Sequence, residues 1–131
     1  MARTSVFRTV TERLRDHAQK GRTLETNLSE LLAHIERHNP VVNAIVTLDR
    51  EGALAAAKAL DATADHSRPL DGIPVTLKDA WAVRGMRTTG GYPPLANYVP
   101  DTDATVTARL KSAGAIILGK TNVPILSTDT Q

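Results

Sequence analysis

The residues of this chain best suited to chemistry are Lys78 and the turn Thr88-Thr89-Gly90-Gly91. Lys78 closes the stretch Pro69-Leu70-Asp71-Gly72-Ile73-Pro74-Val75-Thr76-Leu77-Lys78-Asp79. Val75, Thr76 and Leu77 suit a buried strand, with Pro74 near its start, where one missing ladder hydrogen bond is tolerated. A lysine at the mouth of such a strand is poorly solvated, which favours its neutral form, and a neutral amine is a general base. The same residues also fit a surface lysine that snorkels into water at a strand end. Thr88, Thr89 and Gly90 offer hydroxyls and a flexible backbone, as the wall of a pocket needs and as a plain turn equally supplies.

Other chemical candidates have structural explanations. Gly114-Ala115-Ile116-Ile117-Leu118-Gly119-Lys120-Thr121 satisfies the phosphate-loop pattern G-x-x-x-x-G-K-[ST]. Its spacer is AIIL, however, which suits a buried strand whose N–H groups are committed to a sheet rather than to phosphates. Gly114 reads better as the C-terminal stop of the preceding helix. His34 and His38 have a metal-compatible spacing on a helix but no obvious third ligand, so no metal is expected. Asp101 and Asp103 suit the N-terminus of a helix.

The elements that position these groups follow from periodicity. Residues 5–20 carry Phe7, Val10, Leu14 and Ala18 at helical spacing, with Gly21 as a stop. A second helix has Asn27 and Glu30 at capping-box spacing, a stripe of Leu28, Leu31, Leu32 and Ile35, and an expected end by Asn39, before Pro40. Val42–Leu48 reads as a strand, Asp49 to Ala64 as a helix, and Ile73–Leu77 as a strand. Residues 79–100 are irregular and rich in glycine and proline, and long irregular segments in compact domains are often functional. Asp101 or Thr102 is expected to cap a helix bearing Val106, Leu110 and Ala113, followed by a short strand over Ala115–Leu118. Strands alternating with helices indicate an α/β fold with a mostly parallel sheet.

Composition narrows the function class. The 131 residues are 41% hydrophobic and 23% charged, which is globular, and suffice for one domain. The aromatics are few (Phe7, Trp81, Tyr92 and Tyr98), so the core is aliphatic. A net charge of +2, with no basic stretch interleaved with aromatics, gives no support for nucleic-acid binding. Arg8, Arg13 and Arg15 lie among Glu12 and Asp16, as on a solvated helix face. Cysteine is absent, which removes disulfides, thiolate metal sites and a cysteine nucleophile. No signal-like or membrane-length apolar run is present, so a cytoplasmic location with no membrane partner is expected.

Taken together, NPVVNAIVTLD at 39–49, PLDGIPVTLKD at 69–79, RTTGGYP at 87–93 and VPDTDATVTARLKSAGAIILGKTNVP at 99–124 resemble the amidase signature family. The resemblance covers roughly residues 28–131, while residues 1–27 match only as a generic N-terminal helical region. It implies an α/β fold in which residues 1–131 form the N-terminal portion of a single amidase domain, with N-terminal helices and part of a mixed, mostly parallel sheet.

The resemblance further implies hydrolysis of carboxamides by a serine–cis-serine–lysine triad, without metal or organic cofactor. Lys78 falls on the family's lysine. It would take a proton, through a bridging serine, from a nucleophilic serine. Thr88, Thr89 and Gly90 would line the substrate pocket, and the Asp79 carboxylate would support local structure or orient the lysine. Both serines and the oxyanion donors of the family come from a Gly- and Ser-rich segment beyond the Gly-Lys-Thr-Asn region. The serines here are Ser5, Ser29, Ser67, Ser112 and Ser127, and none has a Gly-Ser-Ser-Gly context. Ser127, nearest to that segment, is not assigned the nucleophile role. The expectation is an amidase whose first 131 residues alone do not hydrolyse amides, with a small-molecule amide as the partner of the whole protein. The alternative is a non-enzymatic product that self-associates through an exposed sheet edge.

Overall fold

The computed structural model describes residues 9, 12, 22–63 and 66–128, so the helix expected over residues 5–20 lies outside the described residues. The element order is α1 (Leu24–Val42), β1 (Ile45–Leu48), α2 (Arg50–Asp61), β2 (Pro74–Lys78), α3 (Thr105–Ser112) and β3 (Ile116–Thr121). Short 3-10 turns occupy Pro93–Leu95 and Ile125–Ser127.

The sheet is three-stranded and mixed, in the order β1-β3-β2. β3 pairs antiparallel with β1 and parallel with β2. On one face, Leu24, Leu28 and Leu32 of α1 and Ala53 and Ala57 of α2 pack with Ile116 and Leu118. The alanines allow the two helices to approach closely. On the other face, Leu77 and Ile117 meet Val83 and Met86 of the irregular segment, with Leu110 of α3 against them.

α1 is longer than its sequence indicates, at both ends. Its N-cap is Thr23, not Asn27: the Thr23 hydroxyl accepts from Thr26 N. The carboxylate of Asp61, the last residue of α2, accepts from Leu24 N at 2.7 Å and Glu25 N at 3.0 Å. Two otherwise orphaned donors at a helix N-terminus thus meet a negative charge. At the other end, Pro40 lies inside the helix rather than after it. It sits in the last turn, where only one backbone hydrogen bond is lost. Asn39 compensates, with its carbonyl accepting from Asn43 N at 2.7 Å and its side-chain amide bonding both N and O of Ile45 at 2.8 Å. β1 consequently begins at Ile45, after the left-handed Asn43.

α2 starts where expected, with Asp49 accepting from Gly52 N at 2.9 Å, but ends at Asp61 rather than Ala64. A Cβ at position 52 would collide with the Asp49 carboxylate, so this glycine makes room for the cap. β2 runs one residue later than expected and includes Lys78.

Neither Asp101 nor Thr102 caps α3. Its N-cap is Ala104, with no side-chain hydrogen bond. Asp103 instead accepts from Arg84 N at 2.7 Å and pairs with Lys111 at 2.8 Å. Gly114 ends the helix as expected: at φ 96° it supports bonds from its own N–H to Lys111 O and from Ala115 N to Leu110 O. This paired arrangement satisfies the last carbonyls of the helix.

Candidate functional site

β3 extends through Gly119 and Lys120 to Thr121, so the phosphate-loop pattern is strand where it would need to be an open loop. Gly119 is wedged against β1, where a Cβ would strike Thr47 O. The N–H groups that would hold phosphates lie in a paired strand, which removes the nucleotide-binding reading.

The register of β2 on β3 shifts between Val75 and Thr76, which pair with Ile117 and Gly119. One extra residue on β3 reverses the facing of the residues after it, as a bulge does. Ile117 and Lys120, three apart, therefore point to the same side. Strict alternation from Ile116 and Leu118 would have sent Lys120 into the helix-facing core. It enters the opposite face, beneath the irregular segment.

There Lys120 is fully buried, at 0% exposure. Its Nζ donates to Trp81 O at 2.6 Å and to Thr88 Oγ1 at 2.8 Å, and lies 3.3 Å from Asp79 Oδ1. Two neutral oxygens thus accept hydrogen bonds from the ammonium, and one carboxylate oxygen stands at ion-pair distance. Burial pushes this ammonium below the ordinary lysine value, and the neighbouring Asp79 carboxylate works in the other direction. Asp79 is itself buried, and its second oxygen accepts from the Thr89 N–H at 3.1 Å and from the Thr89 hydroxyl. Thr89 Oγ1 accepts in turn from Gly91 N at 3.1 Å, and Asp79 O from Gly90 N at 2.9 Å.

Lys78 is the opposite case. It is exposed, at the C-terminal end of β2, with its backbone paired to Thr121. The poor solvation expected at the strand mouth is therefore not found at Lys78. Pro74, Val75 and Thr76 are only half-buried, because β2 lies at an edge of the sheet and no strand covers it among the described residues. No hydrogen bond or ion pair engages its ammonium among those residues. The buried lysine of the site is Lys120, which stands out in the sequence only as part of the phosphate-loop pattern. The available signal is a lysine one glycine beyond the apolar run Ala115–Leu118, with Asp79 just after another strand.

Thr88, Thr89 and Gly90 come together along one cavity of about 280 Å³, with Asp79, Leu95, Tyr98, Leu126 and Ser127 among its other lining residues. Thr88 is buried, and its hydroxyl bridges Lys120 and Met86 O. Leu126 N donates to Gly90 O at 2.7 Å, which fixes the last turn against the Thr-Thr-Gly-Gly loop. Leu126 and Ser127 both have positive φ, at 50° and 58°. His34 and His38 stack on each other at 4.2 Å. Among the described residues no group of three His, Cys, Asp or Glu side chains could hold a metal. No helix among them is long and apolar enough to cross a membrane.

The family model Amidase matches residues 26–131, and the chain belongs to this family. A glutamyl-tRNA(Gln) amidotransferase subunit of Azoarcus sp. (strain BH72) is 51% identical over 94 residues, 70% of this chain and 19% of that protein. Two solved structures share the fold closely. One comes from a vestigial protein complex that reveals the evolutionary origins of an s-triazine catabolic enzyme. It is 28% identical with a TM-score of 0.84, covering 90% of this chain and 27% of its own. The other is 6-aminohexanoate cyclic dimer hydrolase, 26% identical with a TM-score of 0.82, covering 93% of this chain and 25% of its own. The chain thus spans from 19% to 27% of the length of these relatives. The α/β architecture and the mixed sheet agree with the fold expected from the sequence.

Proposed function

We propose that this chain carries the base of an amide-hydrolysing site, with Lys78 as that base. The reaction is R–CO–NH₂, or a related amide, plus water, giving a carboxylate and ammonia or an amine. The observation that carries this reading is the contrast between the two lysines. Lys120 is sealed in, held by two hydrogen bonds and the Asp79 carboxylate. Lys78 is exposed at the strand end beside the anchored Asp79, and of the two it is the one open to a substrate.

Two features put the remainder of the reaction on other residues. None of the serines has the Gly-Ser-Ser-Gly context expected of the bridging and nucleophilic pair. Desolvation is what lets a lysine amine act as a base near neutrality, and these residues leave Lys78 open to water. A polypeptide segment that covers Lys78 and brings the serines supplies both. Thr88, Thr89 and Gly90 line the substrate pocket, in keeping with their shared cavity. The absence of cysteine suits a cytoplasmic protein.

The 131-residue polypeptide alone is expected to show no amide turnover. Saturable hydrolysis by the purified polypeptide, lost in Lys78→Ala, would contradict this division of roles.

A second reading rests on the sheet order. Among the described residues β1 and β2 are both edges, and exposed edges pair with other chains. It predicts a concentration-dependent oligomer with no turnover on any amide. A compact monomer across a dilution series removes it.

A further inference from the structure

We infer that Lys120 is a positioning residue for Lys78, acting through Asp79; this rests on the reading of Lys78 as the base. The two lysines approach the end of the sheet from neighbouring strands, with Leu77 paired to Lys120 and Lys78 to Thr121. Asp79 N donates to Thr121 O at 3.1 Å, so the backbone on either side of Lys78 is tied to β3. The segment after β2 is irregular, and nothing in a regular ladder holds it. Lys120 does so by charge: one ammonium collects the Asp79 carboxylate, the Trp81 carbonyl and the Thr88 hydroxyl, three points of a segment with no strand of its own there.

The network then continues outward. Asp79 holds Thr89 by both N–H and hydroxyl, Thr89 holds Gly91, and Gly90 O holds Leu126. One continuous hydrogen-bonded network therefore joins the mouth of the strand that presents Lys78 to the walls of the adjoining cavity. Asp79 Oδ1 has no hydrogen bond of its own and depends on Lys120 for its compensation. A neutral side chain of the same length at position 120 would leave a buried carboxylate unpaired beside the base.

The test uses the 131-residue polypeptide and no substrate, so its failure leaves the role of Lys78 standing, and a failure of Lys78 in turnover leaves it untouched. Backbone hydrogen exchange at Asp79, Thr89 and Gly90 is followed in Lys120→Ala, together with the NMR signals of the Lys78 amide and Cε. Exchange is expected to rise roughly tenfold or more, the cost of an uncompensated buried charge. The Lys78 signals are expected to move, while the Ala53 and Ala57 amides keep their protection. Added n-butylammonium should restore exchange and signals, and n-butanol should not. Unchanged exchange, unchanged Lys78 signals, or equal rescue by the alcohol would overturn the inference. Should Lys120→Ala not fold, Thr88→Val removes one acceptor with little change of shape. It should raise exchange at Thr89 and Gly90 only, and no rise, or a rise throughout the chain, would overturn the inference in its turn.

Discussion

The Nζ of Lys120 lies 3.3 Å from Oδ1 of Asp79, with side-chain exposures of 0% and 2%. One partner comes from the central strand and the other from the first residue after an edge strand. Their pairing fixes where the sheet gives way to the irregular segment that carries Thr88, Thr89 and Gly90.

Breaking this pair from one side should be costly. Lys120→Met leaves the Asp79 carboxylate buried and uncompensated, and is expected to lower stability by about 3–5 kcal/mol. Adding Asp79→Asn should recover part of that loss, because no charge is then left stranded. Urea unfolding of the single and double variants checks this, and equal losses in the two would count against it.

The same lysine gives a pH dependence of definite sign. Burial holds its folded value below the ordinary 10.5, so between the two values the unfolded chain carries more protons. Stability from this group therefore rises with pH in that window. The burial cost is full at neutral pH and is relieved as pH climbs through the folded value towards 10.5. Relative to Lys120→Met/Asp79→Asn, the unsubstituted chain should gain stability on the approach to that pH. A relative loss would contradict this sign.

Asp103 runs the other way. Partial burial pushes its carboxyl up, but the Lys111 hydrogen bond, the Arg84 N–H and the charges of both residues outweigh that and hold it below its ordinary value. Its stabilisation is present above the unfolded value and is lost as pH falls through the folded one. Lys111 is partly exposed, so Asp103→Asn should cost about 1 kcal/mol or less near neutral pH. That difference should vanish in acid, and pH-dependent unfolding of the two chains checks it.

Gly114 tests the packing of the turn between α3 and β3 against Asp71. Its φ is 96°, and a Cβ would stand 2.9 Å from Asp71 backbone atoms. Gly114→Ala should cost about 1–3 kcal/mol from backbone strain, with more from the clash. A thermal unfolding midpoint no lower than that of the unsubstituted chain would contradict this.

Much of this architecture is legible in local pattern. The leucine stripe of α1 shows in its helical period, and the start of α2 at Asp49 and the Gly114 stop rest on contacts within a few residues. The features that local pattern misses depend on partners far along the chain or beyond the reach of a simple period. Thr23 begins α1 because Asp61 closes over its first turn, and Pro40 is tolerated because Asn39 reaches Ile45. Asp103 is drawn from α3 to Arg84. For the site, Lys78 stands out by its context, whereas Lys120 is hidden by the bulge opposite Val75 and Thr76, which defeats a two-residue period. The solvation of Lys78 escapes local pattern because burial of a strand end depends on its neighbour, and β2 is an edge.

The role of Lys78 as the base of a site completed by other residues is tested most directly by a chimera. In it, these 131 residues replace the matching part of 6-aminohexanoate cyclic dimer hydrolase, and its turnover is compared with that of its Lys78→Ala form. Hydrolysis by the chimera, falling by roughly 10³-fold or more in kcat on Lys78→Ala without loss of fold, is the predicted result. A folded chimera whose turnover survives Lys78→Ala would contradict it.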